Sequence, residues 1–166
     1  MWIQILQDAL FSAIAAIGFA SISRPPARIY PYCGLIAALG HSIRFFLMNP
    51  DFGMHLHIIA ATFIASLSIG ILAVLFSPKA KAPAETCLFP ALLPMIPGIY
   101  AYKTFGALAM CLFRDGEEIF NHYFYLFAFN GFMTICILLS MVVGATVPVF
   151  LLKKISFRAT RNDKYI

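Results

Sequence analysis

Five long apolar segments, separated by gaps whose charge alternates, constrain this chain more than any other feature. They run from about Ile3 to Ile22, Tyr30 to Met48, Leu56 to Phe76, Cys87 to Leu112 and Tyr123 to Leu152. Each is near or above the roughly 17–25 residues that a tilted helix needs to cross bilayer hydrocarbon. Of the Lys and Arg residues, nine fall in every second gap: Arg24 and Arg28, then Lys79 and Lys81, then Lys153, Lys154, Arg158, Arg161 and Lys164. The positive-inside rule places those gaps in the cytoplasm. The expected protein is all-α and polytopic, with about five transmembrane helices, an external N-terminus and a cytoplasmic C-terminus.

At 61% hydrophobic and 11% charged residues, the chain has too few charges to cover a globule in water. Residues 1–152 read as a single transmembrane domain and residues 153–166 as a basic cytoplasmic tail. The net charge of +5 comes from short loops and that tail, which points to the anionic surface of a lipid bilayer and not to nucleic acid. Segments of helical length exclude an outer-membrane barrel, whose strands would be about ten residues of alternating polarity. Residues 1–10 carry Asp8 but no Lys or Arg, so the first segment is expected to stay as a helix and not to be cleaved as a signal peptide. Cys33, Cys87, Cys111 and Cys136 form no paired motif and sit in or at the ends of apolar segments. They read as small hydrophobes, supporting neither a disulfide framework nor a zinc site.

In lipid, helices associate by close backbone approach, so small residues four apart mark packing faces. Such stripes are Ser12, Ala16 and Ala20; Thr62, Ser66 and Gly70 with Ala61 and Ala65 beside them; and Ser140 with Gly144. The fourth segment is irregular, reading Pro90-Ala91-Leu92-Leu93-Pro94-Met95-Ile96-Pro97-Gly98. A proline inside a helix removes a backbone donor and clashes with the carbonyl four residues back, at about 3 kcal/mol or more. A broken fourth helix is expected, with a new half-helix starting near Pro97, its N–H groups and positive dipole end near mid-membrane. Discontinuous helices in transporters aim such ends at substrate carboxylates; the other reading is a proline kink packed against a neighbour.

Gly34, Ala37, His41 and Arg44 share one face of the second segment. No acidic residue of an apolar span is expected to neutralise Arg44, so its counter-charge would come from solvent, a partner chain, a lipid or an anionic substrate. The alternative is that Arg44 snorkels to the outer interface near Met48, with His41 hydrogen-bonded to a carbonyl. Lys103, after Tyr100 and Tyr102, could face a pathway or reach outward. Asn130 reads as a neutral interhelical donor and acceptor, in packing or in ligand contact. Asp51, His55 and His57 lie in one external loop and Asp115, Glu117, Glu118 and His122 in the other; their spacing defines no metal site, and the acidic run reads as solvated. With no activated nucleophile, no nucleotide-binding glycine loop and no cofactor motif, an enzyme is not expected.

Gly18-Phe19-Ala20, Arg28, Gly40-His41-Ser42-Ile43-Arg44, Pro94-Met95-Ile96-Pro97-Gly98-Ile99-Tyr100-Ala101-Tyr102, and Asn130 with Gly144 and Pro148 together resemble the threonine/serine exporter family. The likeness is to its small, stand-alone membrane subunit and spans nearly the whole chain. It implies a bacterial inner-membrane exporter of small polar metabolites, threonine and serine foremost and short dicarboxylates in some members. It also implies a second membrane half as companion subunit. The expectation is thus one subunit of a secondary exporter for small amino or carboxylic acids, with an accessory subunit that only stabilises a membrane partner as the alternative. Residues expected along the substrate path are His41, Arg44, Pro94, Pro97, Gly98, Tyr102 and Asn130, with His41 the intramembrane proton carrier, because histidine changes charge near neutral pH.

Overall fold

The computed structural model describes residues 2–51 and 53–156; the tail positions Arg158, Arg161 and Lys164 lie outside them. Every regular element among the described residues is helical. Four helices are long and apolar enough to cross a membrane: α1 (Trp2–Ser23), α2 (Tyr30–Met48, entered through a 3-10 turn from Ala27), α3 (Ile58–Ala80) and α6 (Glu117–Leu151). The pair α4 (Ala84–Leu92), continued by a 3-10 turn over Leu93–Met95, and α5 (Gly98–Phe113), bent by 53° at the break, passes the same test together and, counted as one span, is a fifth crossing, fourth in chain order. A short α7 (Lys153–Ser156) follows.

Two boundaries differ from the hydropathy reading. α3 continues past Phe76, through Pro78, to Ala80. Pro78 sits in the last turn and removes one bond of the ladder, the one to the Val74 carbonyl. Lys81, in the left-handed conformation, closes the helix with its N–H on the Ser77 carbonyl. α6 starts at Glu117, six residues before Tyr123, because Gly116 turns the chain at a φ of 119° and the two glutamates favour the positive end of the helix dipole. At 35 residues α6 is about 52 Å long, well beyond the roughly 30 Å of hydrocarbon.

The break lies where the prolines and glycine place it. Pro97 has φ −76° and ψ 62°, and the Gly98 N–H donates to the Ile96 carbonyl at 2.8 Å. This is an inverse γ-turn, after which Ala101 N–H bonds the Pro97 carbonyl at 3.1 Å and α5 begins.

The described residues form two compact units, residues 2–95 with 140–156 and residues 96–139. In the first, α2 packs on α1, α3 and α4. α1 buries Ser12, Ala16 and Ala20, the small-residue stripe, and exposes Leu6, Leu10, Phe11 and Ile14, which suits lipid or a protein partner. α3 buries Ala61, Thr62, Ala65, Ser66 and Gly70. A Cβ on Gly144 would overlap Ser66 Oγ and approach the Phe63 carbonyl to 2.7 Å, and one on Gly70 would come within 2.5 Å of the Ala145 carbonyl. The α3 contact with the C-terminal part of α6 is thus backbone to backbone. At one end of this unit Arg28 Nη2 donates to the Lys81 carbonyl at 3.1 Å, while Ser77 Oγ lies 2.6 Å from the Ala82 carbonyl and 3.2 Å from that of Ser156. The segments following α1, α3 and α6 therefore meet.

In the second unit α5 pairs with the first part of α6. Thr104 Cγ2 would touch a Cβ on Gly131 at 3.5 Å, and Cys111 Sγ donates to the Phe120 carbonyl at 3.9 Å.

Gly144→Val is expected to destabilise the protein by roughly 1–3 kcal/mol through overpacking. Gly106→Ala, where a Cβ meets nothing within 4 Å, should be neutral or stabilising by up to about 1 kcal/mol. Thermal unfolding of both variants in one detergent measures the difference, and equal midpoints would contradict the close α3–α6 packing.

Candidate functional site

One face of α2 meets the first half of the broken span, at Thr86 and Met95. Pro90 lacks the N–H that would bond the Thr86 carbonyl, and Cys33 Sγ donates to that carbonyl at 3.8 Å. Two turns on, Gly40 lets α2 approach: a Cβ there would overlap the Ile69 side chain and reach Met95 Cε at 3.4 Å. One turn further, Arg44 Nη1 donates to the Met95 carbonyl at 3.0 Å. That carbonyl lies at the break and at the negative dipole end of the first half-span, where a cation is favoured. Arg44 is thus half-buried, with one N–H engaged on that carbonyl.

His41 is buried on the same face. Its Nδ1 lies 3.4 Å from Asp8 Oδ2 on α1, with side-chain exposures of 9% and 32%. This corrects the expectation that no acid inside an apolar span serves the basic pair: Asp8 belongs to the first span and faces it. It also corrects the reading of His41 as bonded to a carbonyl, since Nε2 has no hydrogen-bond partner among the described residues. The Asp8–His41 contact has ion-pair distance without hydrogen-bond alignment, which leaves Asp8 Oδ2 in the same condition.

Asp8, His41 and Arg44 share the wall of one cavity of about 270 Å³ with Phe45, Met48, Asn49 and Pro50. The space is large enough for a small metabolite. An acid, a base and a permanent cation around a space of that size can hold a small charged molecule and exchange a proton beside it.

The sequence contained a signal for Asp8. An ionisable residue inside an apolar span is by itself a pointer to a site. The α1–α2 hairpin also sets the register: from the contact of Ile17 with Gly34, nine residues back along α1 and seven forward along α2 lead to Asp8 and His41.

The remaining candidates are distributed elsewhere. Pro94 lies in the 3-10 turn before Met95. Pro97 and Gly98 form the break, and Gly98 has no neighbour within 4 Å of where a Cβ would stand. In the second unit, Tyr102 and Asn130 share a cavity of about 650 Å³ with Lys103. Asn130 is buried, but its Nδ2 donates back to the Leu126 carbonyl of its own helix at 2.7 Å and not across to another helix. Among the described residues no three His, Cys, Asp or Glu side chains converge.

Arg44→Met should cost about 1–3 kcal/mol by leaving the Met95 carbonyl without its donor, with Arg44→Lys losing less. Thermal unfolding in detergent reads the loss. A shift no larger than that of Ser42→Ala would show that the carbonyl does not depend on Arg44.

The sequence family described as Threonine/Serine exporter, ThrE, matches residues 8–151. An uncharacterized protein of Haemophilus influenzae is 40% identical over 101 residues, 61% of this chain and 33% of the relative. The chain thus spans about a third of the length of that curated relative. No solved structure matches.

Proposed function

The chain belongs to the threonine/serine exporter family, and from that premise we propose that it is one membrane subunit of a secondary exporter. Its cargo is a small amino acid such as threonine or serine, or a short carboxylic acid, and it works with a second membrane half. The family is one of transporters and not an enzyme class. The observation that carries the reading is the cavity in which Asp8, His41 and Arg44 meet. Such groups are costly within an apolar bundle and are found where substrates or ions pass.

A companion half is supported by the length of the curated relative, about two thirds of which lies outside the match, and by the apolar outer face of α1. Tyr102 and Asn130, around the larger cavity of the second unit, and Pro94, Pro97 and Gly98 at the break are the further residues of this reading. The proposed location is the bacterial inner membrane, N-terminus outside and C-terminal tail cytoplasmic. The meeting of Arg28 with Lys81 and of Ser77 with Ser156 supports that sidedness, because it gathers the basic loops at one end of the first unit.

The rival reading, an accessory subunit that stabilises a membrane partner, draws on the hydrogen bond from Arg44 to the Met95 carbonyl, which gives the cation a purely structural task. The two separate on function. In the exporter, His41→Ala and Arg44→Ala lower efflux of labelled threonine, serine or succinate by roughly tenfold or more at matched protein levels, the worth of one charge-assisted hydrogen bond of about 1.5–3 kcal/mol. In the accessory subunit, efflux follows the amount of complex alone.

The exporter also needs both halves. Liposomes holding this chain with its companion should show saturable efflux, and liposomes holding this chain alone should show none; equal rates would favour a homo-oligomeric exporter. Reporter fusions test the sidedness, since a cytoplasm-active reporter that works at the N-terminus would reverse it.

A further inference from the structure

Away from the polar cavity, two thiols meet inside the first unit. Cys33 lies in the opening turn of α2 and Cys87 in the opening turn of α4, and both are fully buried. The Cys87 thiol hydrogen-bonds to Cys33, whose own thiol donates to the Thr86 carbonyl at 3.8 Å. The chain of contacts thus runs from one sulfur to the other and on to the backbone that Pro90 leaves short of a donor. The other two cysteines, Cys111 and Cys136, belong to the second unit.

A buried cysteine that serves as a small hydrophobe needs only apolar neighbours. Here two sulfurs on different helices touch, each at a helix start, the end where the dipole favours negative charge and where thiols react as nucleophiles. A disulfide requires Cβ atoms about 3.5–4.5 Å apart, a spacing that thiols already in hydrogen-bond contact reach by side-chain rotation and a small helix shift. Both residues stand at the end of the unit where Arg28 meets Lys81, which the proposed sidedness puts at the cytoplasm. Thiols are kept reduced there, and a disulfide that forms is transient and responsive to oxidants.

We propose that Cys33 and Cys87 are a redox-active pair, which a peroxide converts to a disulfide tying α2 to α4 and a small thiol restores. Hydrogen peroxide suits a fully buried pair, being small and uncharged. Cys33, which receives the hydrogen bond, attacks one peroxide oxygen: the S–O bond forms, the O–O bond breaks, and the departing hydroxide takes the Cys33 proton to become water. Cys87 Sγ then attacks Cys33 Sγ: the S–S bond forms, the S–O bond breaks, and the second hydroxide leaves as water with the Cys87 proton. Two thiols lose two electrons in all, and one peroxide becomes two waters. The oxidised Cys33 has no S–H for the Thr86 carbonyl, and the first half of the broken span is held covalently on α2. Discontinuous helices take part in the rocking of a transporter, so the link arrests export. That consequence rests on the exporter reading; the disulfide itself does not.

The test uses the full chain carrying Cys111→Ser and Cys136→Ser, in membrane vesicles with its companion half, so that one disulfide alone is possible within the chain. Vesicles are treated with hydrogen peroxide, free thiols are blocked with N-ethylmaleimide, and the protein is digested without reduction for mass spectrometry. The expected result is one joined species holding the Cys33 and Cys87 peptides, two hydrogens lighter than their sum and separated by dithiothreitol. Efflux of labelled threonine or succinate falls in proportion to the linked fraction and recovers on reduction. Cys87→Ala, which keeps the Cys33 donor on Thr86, forms no link and retains its efflux under peroxide. Two blocked, unlinked thiols after peroxide treatment overturn the inference and leave the pair as apolar filling. A joined species with undiminished efflux, or an equal loss of efflux in Cys87→Ala, also overturns it. The peptide map needs no substitution at either thiol, so it decides the chemistry even where Cys87→Ala fails to fold. Absence of efflux from untreated vesicles removes the exporter reading instead, and the map still decides whether the disulfide forms.

Discussion

A proline-broken helix in a membrane leaves carbonyls that water cannot reach, and the first unit is organised around answering them. Cys33 donates to the carbonyl that Pro90 frees at Thr86, and Arg44 donates to the Met95 carbonyl at the break. Both donors come from one face of α2. Irregular backbone at membrane depth is tolerated only where protein or a wet cavity satisfies it; without α2 against it, the fourth span would have reason to avoid the bilayer.

That requirement propagates. α2 must come close, so Gly40 stands where any side chain would collide with Ile69. An arginine brought to the break must be balanced, and α1, whose buried stripe of Ser12, Ala16 and Ala20 packs in the same unit, brings Asp8 to the neighbourhood of His41. The charged cluster therefore follows from two backbone contacts and one broken helix. Its polar atoms are not all satisfied, since Asp8 Oδ2 and His41 Nε2 lack partners among the described residues. Buried polar groups are normally hydrogen-bonded; away from the cavity, Thr62 Oγ1 and Ser156 Oγ share this condition.

Much of this was legible beforehand because the bilayer imposes simple rules. Apolar length located the spans, and Pro97 with Gly98 located the break to the residue, since few other sequences stop a helix so firmly. The small-residue stripes on α1 and α3 turned out buried, as packing in lipid demands. The helix ends were less legible, because Glu117 and Glu118 extend α6 by dipole and turn geometry, terms to which hydropathy is blind. Asn130, legible as a buried polar residue, bonds within its own helix, a choice that local geometry makes and composition does not reveal.

The sequence by itself determined an all-helical membrane protein, the position of its broken span and the presence of a basic pair on one face of α2. Apolar length, proline chemistry and helical periodicity are properties of a segment taken alone. Only the tertiary structure decided what that basic pair meets: the Met95 carbonyl for Arg44 and the Asp8 carboxylate for His41. Those contacts join residues 33 to 51 positions apart, and their distances depend on how closely the helices approach, which is set by small side chains on several elements together.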